Sequence, residues 1–404
     1  MKLRNKMLLL LSLVAAAVAQ QTTIDPRDFI GIFGTPPPLT NSTPGLETIT
    51  VKPTDKPATF VNKHGEYCQC VPYYLCKDGL TINDPTLDGN GLLDIRFGED
   101  ENNDRLCQES VERCCKVLKD PSEVVKPKPD PSKLKGCGYR NPKGLGFTIV
   151  GNGGESQFGE FPWVVALLDV MNGSYAGVGV IIHPQVVMTG AHIASKYAPG
   201  KLRVRAGEWD TQTIKEELEH QERDVQEILI HKDFKPLSLK NDIALLRLQS
   251  PLELADHINS LCLPDQDESF DNSKNCVANG WGKNVFGVQG LYAVILKKVE
   301  QDMVPHSRCN TQLQKTRLGS HFSLHSSFVC AGGEEGKDTC QGDGGAPLAC
   351  PIGNNRYKLS GLVAWGIGCG QKDVPAVYVN VPAFRHWVDE NMNKWGYGSS
   401  TYSV

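Results

Sequence analysis

Fourteen cysteines constrain this chain more than any other feature. Six of them, Cys68, Cys70, Cys76, Cys107, Cys114 and Cys115, crowd between residues 68 and 115. The other eight, Cys137, Cys262, Cys276, Cys309, Cys330, Cys340, Cys350 and Cys369, are spread over the rest. A stretch as short as 67–115 cannot bury a self-sufficient core, so disulfides must hold it together. The contrast in density implies two domains. An even count fits an oxidising compartment in which every thiol is paired. Zinc is the competing reading of Cys68-x-Cys70 and Cys114-Cys115, but no histidine sits beside them at ligand spacing. Spacing alone does not choose among the possible pairings.

The N-terminus supports that compartment. Met1-Lys-Leu-Arg-Asn-Lys6 is basic, Met7 to Val18 is apolar, and Ala17-Val18-Ala19 precedes Gln20, the order of a secretory signal over residues 1–19. No later run approaches the roughly 20 apolar residues of a membrane span, so the expectation is an extracellular protein without a membrane partner. Lys plus Arg is 42 against 46 Asp plus Glu, a net charge of -4 that gives no support to nucleic-acid binding.

Residues 20–66 are rich in Pro and Thr and read as an extended arm. Asn41-Ser-Thr and Asn172-Gly-Ser are N-glycosylation acceptors. Between Cys76 and Cys107 runs an acidic loop with turn signals at Asp84-Pro85 and Asp88-Gly89; Arg96-Phe97 within it is a trypsin-type cleavage point. Residues 116–136, with Val125-Lys-Pro-Lys-Pro-Asp-Pro-Ser132, form a linker poor in apolar residues. The second domain, 137–396 with its core from Ile149, breaks into short β-branched runs such as Val164-Val-Ala-Leu-Leu and Gly361-Leu-Val-Ala-Trp. Many short strands at such spacing predict an all-β sandwich or barrels. Only Ala383 to Met392 reads as a helix, with Phe384, Trp387, Val388 and Met392 on one face. Residues 397–404 read as a tail.

Three pieces carry chemistry. Thr189-Gly-Ala-His192 follows an apolar run, Asn241-Asp242 precedes another, and Cys340-Gln-Gly-Asp-Gly344-Gly-Ala-Pro347 comes last. The order base, orienting carboxylate, nucleophile loop is that of the chymotrypsin arrangement. In such a loop, backbone N–H groups face a developing oxyanion and a serine hydroxyl attacks the carbonyl. Here Gly344 stands at the nucleophile position and has no hydroxyl.

Residues 149–396 therefore resemble the trypsin and chymotrypsin family, and residues 68–115 resemble an arthropod clip domain. Together they resemble the clip-domain serine protease homologues, the non-catalytic members of that group. The resemblance implies a trypsin-like double β-barrel with a C-terminal helix, plus a small disulfide-rich clip domain. It makes His192 the general-base equivalent, Asp242 its orienting residue and Gly344 the vacant nucleophile. Asp338 takes the place of the specificity carboxylate, with Gly366 and Ala376 as walls of that pocket. It also implies the bridges Cys68–Cys114, Cys70–Cys107, Cys76–Cys115, Cys137–Cys262, Cys276–Cys350, Cys309–Cys330 and Cys340–Cys369.

Four departures point away from catalysis. Removing the nucleophile from such a unit costs about a millionfold in turnover. Thr148, before Ile149-Val-Gly, stands where cleavable zymogens carry Arg or Lys, so no new ammonium forms for Asp343. Ala376 replaces a pocket glycine. The cysteine pair that usually staples the His loop is replaced by Gly177 and Ile193. Glu208, Asp210 and Glu217 lie where trypsins fold a calcium loop, and an oxygen ligand set suits that ion; an acidic solvated loop is the alternative. The resemblance implies a cofactor in prophenoloxidase activation and melanisation, working with prophenoloxidase and an activating clip-domain protease. An upstream protease would cut at Arg96-Phe97, with oligomerisation as a possible consequence. A microbial-surface recognition protein and a decoy that restrains the cascade remain the rival readings.

Overall fold

The structure, a computed structural model, describes residues 59–61, 67–77, 92–94, 107, 111–120, 124, 134–150, 154–283 and 291–404. The signal peptide, most of the arm, Asn41, Arg96 and Phe97 lie outside the described residues. No helix among the described residues is long and apolar enough to cross a membrane.

The small domain is a three-stranded antiparallel sheet. Strands β1 (Thr59–Val61), β2 (Tyr67–Pro72) and β4 (Glu112–Cys115) pair in the order β1-β2-β4. Its core is largely sulfur: the bridges Cys68–Cys114, Cys70–Cys107 and Cys76–Cys115 all form, and their cysteines are buried. Only one group of described residues brings three metal-capable atoms together, Cys70, Cys107 and Cys114, and all three sulfurs are spent in disulfides. The four remaining bridges also pair as the family resemblance implied, and no free cysteine is found among the described residues.

The large domain holds two barrels. The first closes in the order β10-β11-β8-β7-β6-β9, built from β6 (Val164–Asp169), β7 (Tyr175–His183), β8 (Val186–Thr189), β9 (Leu202–Ala206), β10 (Gln221–Ile230) and β11 (Ala244–Leu248). Strand alternation sorts its side chains. On β9, Leu202, Val204 and Ala206 turn inward and Arg203 and Arg205 outward. On β6, alternation divides residues between two apolar cores: Val165 and Leu167 fill the barrel, while Val164, Ala166 and Leu168 join the core shared with the second barrel. That division explains why β6 and β8 read as unbroken apolar runs.

The second barrel comprises β12 (Cys276–Gly280), β13 (Lys297–Gln301), β14 (Met303–Val304), β15 (Phe328–Ala331), β16 (Pro347–Gly353), β17 (Arg356–Trp365) and β18 (Ala376–Asn380). Its order is β13-β12-β16-β17-β18-β15-β14. The two end strands are separated only by Asp302, so one stretch of chain pairs at both edges and the sheet wraps onto itself. Among the described residues three α-helices complete the domain: α1 (Ala191–Ala194), α2 (His306–Gln314) and α3 (Arg385–Lys394). Helix α3 buries Val388 and Met392, as the spacing predicts, while Phe384 sits in a preceding 3₁₀ turn. The supposed tail is part of the domain. Tyr402 is buried, its hydroxyl donates to Asp389 (2.8 Å), and Leu263 N–H donates to its carbonyl (2.8 Å).

The clip domain packs directly on the barrels. Its Tyr73 ring packs at a tilt against Phe147 (4.6 Å between centroids), which joins Phe158 and Trp209 in one aromatic cluster. The Tyr73 hydroxyl donates to Glu217 (2.5 Å), and Lys215 pairs with clip residue Glu112 (2.9 Å). Val111 belongs to the same buried core as the barrels. Tyr73→Phe is expected to cost about 1–3 kcal/mol, the range for losing a hydrogen bond to a charged group; thermal denaturation with linker proteolysis as a second probe measures it.

Candidate functional site

The base and its carboxylate are assembled where the barrels meet. Strand β8 ends at Thr189, and the short helix α1 presents His192; Asp242, fully buried, leads into β11. The His192 Nδ1 lies 2.6 Å from Asp242 Oδ2, and the His192 backbone N–H donates to Oδ1 (2.7 Å). Imidazole and carboxylate thus keep the orientation a general base needs.

The third position is vacant, and the gap has been filled. A Cβ added at Gly344 would stand 2.7 Å from His192 Nε2, closer than real side chains pack. The imidazole occupies the space in which a nucleophile would stand. Ile193 does the same for the lost staple: its Cδ1 fills the place where a Cβ on Gly177 would project. The two positions of the missing cysteine pair are therefore adjacent, and a hydrophobic side chain has replaced the bridge.

The pocket carboxylate is also engaged. Asp338 Oδ2 accepts from Gly370 N–H (2.9 Å), and its Oδ1 faces Gln301 Nε2 (3.4 Å). Gln301 is itself held by the Tyr378 hydroxyl. Burial pushes the Asp338 carboxyl above the usual carboxylate range. Ala376 is buried in β18 opposite Ala331, whereas Gly366 is exposed.

The activation-like segment has its own fastening. Strand β5 (Thr148–Val150) pairs in parallel with β3 (Leu92–Asp94), a strand of the clip loop. The Ile149 N–H donates to the Gln157 side-chain oxygen (2.7 Å), and the Gln157 amide donates back to the Ile149 carbonyl (3.1 Å). Asp343, the residue that would receive an Ile149 ammonium, accepts instead from the backbone N–H of Gly282 (2.8 Å) and Cys340 (2.9 Å). Burial raises its carboxyl to about 6. Any Cβ on Gly282 would come within 2.5 Å of that carboxylate, so the position has to be glycine. Behind the loop, the Tyr175 hydroxyl donates to the Gly342 carbonyl (3.0 Å).

A family model described as Trypsin matches residues 150–388. The chain belongs to the trypsin family. A second model, described as the serine protease clip domain PPAF-2, matches residues 57–116, which makes the chain a clip-domain serine protease homologue. It is 50% identical over 300 residues to phenoloxidase-activating factor 2 of Galleria mellonella, covering 70% of this chain and 98% of that protein. Inactive CLIP domain-containing serine protease A8 of Anopheles gambiae is 38% identical, with 79% and 87% covered. Inactive CLIP domain-containing serine protease A3 of Aedes aegypti is 39% identical, with 83% and 69% covered.

Within this trypsin-family domain the structure assembles His192, Asp242 and Gly344 as the sequence order implies, and it sets Asn172 on the exposed turn between β6 and β7. The proposed metal ligands divide. Glu208, Asp210 and Glu216 are the buried carboxylates of the 206–219 loop, while Glu217 turns to Tyr73 of the clip domain. Burial and then Arg205 govern Glu208, whose carboxyl rises to about 7; burial and then Glu208 raise Glu216 to about 8. Among the described residues the carboxylates of this loop do not bring three ligand atoms together, and Glu208 is paired with Arg205 (3.0 Å). Gln157, Gly370 and Tyr73 were not singled out by sequence, because nothing local marks an amide or a tyrosine as a long-range fastener.

Proposed function

We propose that this trypsin-family chain is an extracellular pseudo-protease that assists prophenoloxidase activation as a cofactor and has no peptidase activity of its own. The observation that carries the reading is Gly344, with the His192 imidazole standing in the space of the missing nucleophile. The kept His192–Asp242 contact and the intact barrels support a role in binding, and the name phenoloxidase-activating factor 2 on a half-identical relative supports the pathway. Tethering two partners raises their effective concentration, to about millimolar for short connections, with no bond-breaking group needed.

Cleavage at Arg96-Phe97 is the proposed switch. The test mixes intact, pre-cut and Arg96→Ala protein with prophenoloxidase and its activating protease and scores phenoloxidase activity. The expected result is activation with cleavable protein only. Equal activation by Arg96→Ala removes Arg96 as the switch, and slower conversion with the pre-cut form makes the protein a decoy.

Calcium in the 206–219 loop is part of the proposal, with structural support as its role, and it would require the loop to rearrange, because Glu208, Asp210 and Glu216 do not present three ligand atoms to one point. Adding the ion to chelator-stripped protein is expected to raise Tm by several degrees, about what 1 kcal/mol of ligand stabilisation gives in a domain of this size. An unchanged Tm, with no heat on calorimetric titration, removes calcium from the proposal.

A further inference from the structure

Strands β2 and β4 gather four cysteines on one face of the clip sheet. Cys68 and Cys70 are two residues apart on β2, so their side chains project to the same side. The register sets Cys70 directly opposite Cys114 of β4, which puts Cys114 on that side as well. Cys107 joins them through its bridge to Cys70, and the four form one buried cluster. The bridges do not follow the register. Cys114 is bonded to Cys68, its diagonal neighbour, and Cys70 to Cys107, so the two opposed cysteines are each bonded elsewhere.

A Cys70–Cys114 bridge fits this backbone. Directly opposed residues of an antiparallel pair have Cα atoms about 4.5–5.5 Å apart, inside the roughly 4.4–6.8 Å that a disulfide spans. The sulfurs of Cys70, Cys107 and Cys114 already lie within 4.8 Å of one another. A thiolate on Cys70 therefore starts beside the sulfur it would attack.

We propose that these four cysteines are a thiol–disulfide exchange site for a low-molecular-weight thiol of the glutathione class, and that the exchange ends in the cross-strand bridge Cys70–Cys114. Entry is at Cys107, the most exposed of the four at 8%, against 0% for Cys68, 4% for Cys70 and 5% for Cys114. An external thiolate attacks Cys107 Sγ, forms a mixed disulfide there and expels the Cys70 thiolate. Cys70 then attacks Cys114 Sγ, the Cys68–Cys114 bond breaks, and the departing Cys68 thiolate takes a proton from solvent. A second external thiol resolves the mixed disulfide at Cys107. Two thiols become one small-molecule disulfide, and the chain gains the two electrons as thiols at Cys68 and Cys107.

Strands β2 and β4 stay stapled throughout, and Cys76–Cys115 takes no part. What changes is Cys107. The loop between Cys76 and Cys107, which includes Arg96, loses the covalent tie at its far end. The exchange needs neither a cut in that loop nor a second copy of the chain, and it stands apart from the cofactor reading.

The test incubates the full chain with reduced glutathione at rising concentration and traps free thiols with iodoacetamide. Full reduction and a second alkylating reagent follow, and mass spectrometry locates the first label. Cys107 is expected to be labelled first, with at least as much label on Cys68 as on Cys70, while Cys114 and the barrel cysteines stay protected. Two variants approach the same bridge without glutathione. Cys107→Ser leaves Cys70 without its partner, and label is expected on Cys68 because Cys70 takes Cys114. Cys68→Ser leaves Cys114 without its partner, and label is expected on Cys107.

Label confined to Cys70 and Cys107 in the parent is plain reduction of one bridge and overturns the proposal. Label confined to Cys70 in Cys107→Ser, or to Cys114 in Cys68→Ser, overturns it too. So does a parent whose clip cysteines stay protected until the barrel bridge Cys340–Cys369 opens. The parent experiment needs no substitution, so a variant that fails to fold leaves the test in force.

Discussion

Gly344→Ser is expected to leave the protein without measurable peptidase activity, although restoring a nucleophile to a working base and carboxylate is worth about a millionfold. Three obstacles stand in series. The new Cβ would lie 2.7 Å from His192 Nε2, so the imidazole has to retreat before a hydroxyl can be aligned. Asp338 is bound to Gly370 N–H, which leaves a basic substrate side chain to compete with a hydrogen bond already made. Ile149 is a peptide N–H held by Gln157, so no ammonium organises the loop around Asp343. Chromogenic arginyl substrates and fluorophosphonate labelling measure the outcome. Labelling at position 344 in the single variant would show that only the hydroxyl was missing. Adding Thr148→Arg and cutting there separates the third obstacle from the first two: activity that appears only after the cut assigns the block to the activation segment.

The sequence made the constellation readable because its parts are short, ordered and chemically distinctive. His192, Asp242 and the loop around Gly344 each need a particular residue type at a strand end, and the structure brings them together. Strands were readable for the same reason: β9 alternates with a period of two, and its apolar members face the barrel. What stayed hidden depends on contacts between residues far apart in the chain. Tyr73 and Glu217 are separated by 144 positions, and neither carries a local sign of the other. The docking of the clip domain, the contact of Glu217 with Tyr73, and the burial of Tyr402 of the C-terminal segment against Asp389 all follow from tertiary contacts of this kind. The replacement of a bridge by Gly177 and Ile193 was visible as an absence, while the filling of that space by Ile193 was not.

The sign of one pH effect distinguishes the uncut architecture from an activated one. Asp343 is buried and accepts two backbone N–H groups, and burial outweighs them, lifting its carboxyl to about 6. Its unfolded value is the ordinary one, about 3.9. Between those two values the folded chain holds a proton that the unfolded chain has lost, so this group makes stability fall as pH rises from about 4 to about 6. A shift of about two units corresponds to on the order of 3 kcal/mol. Had Asp343 been paired with an ammonium at Ile149, its carboxyl would be depressed, and stability would rise with pH below the ordinary value instead. Asp343→Asn is therefore expected to flatten the stability profile between pH about 4 and about 6 relative to the unsubstituted chain. The substitution has a cost of its own, about 1–3 kcal/mol, because the new amide turns its NH₂ toward one of two backbone donors. That cost is independent of pH and shifts the whole curve, so the difference in slope isolates the carboxyl. Chemical denaturation across the window measures it. A variant whose difference from the parent grows in the opposite sense, with the parent gaining stability as pH rises, would mean that Asp343 has a cationic partner and that the site is organised as in an activated protease.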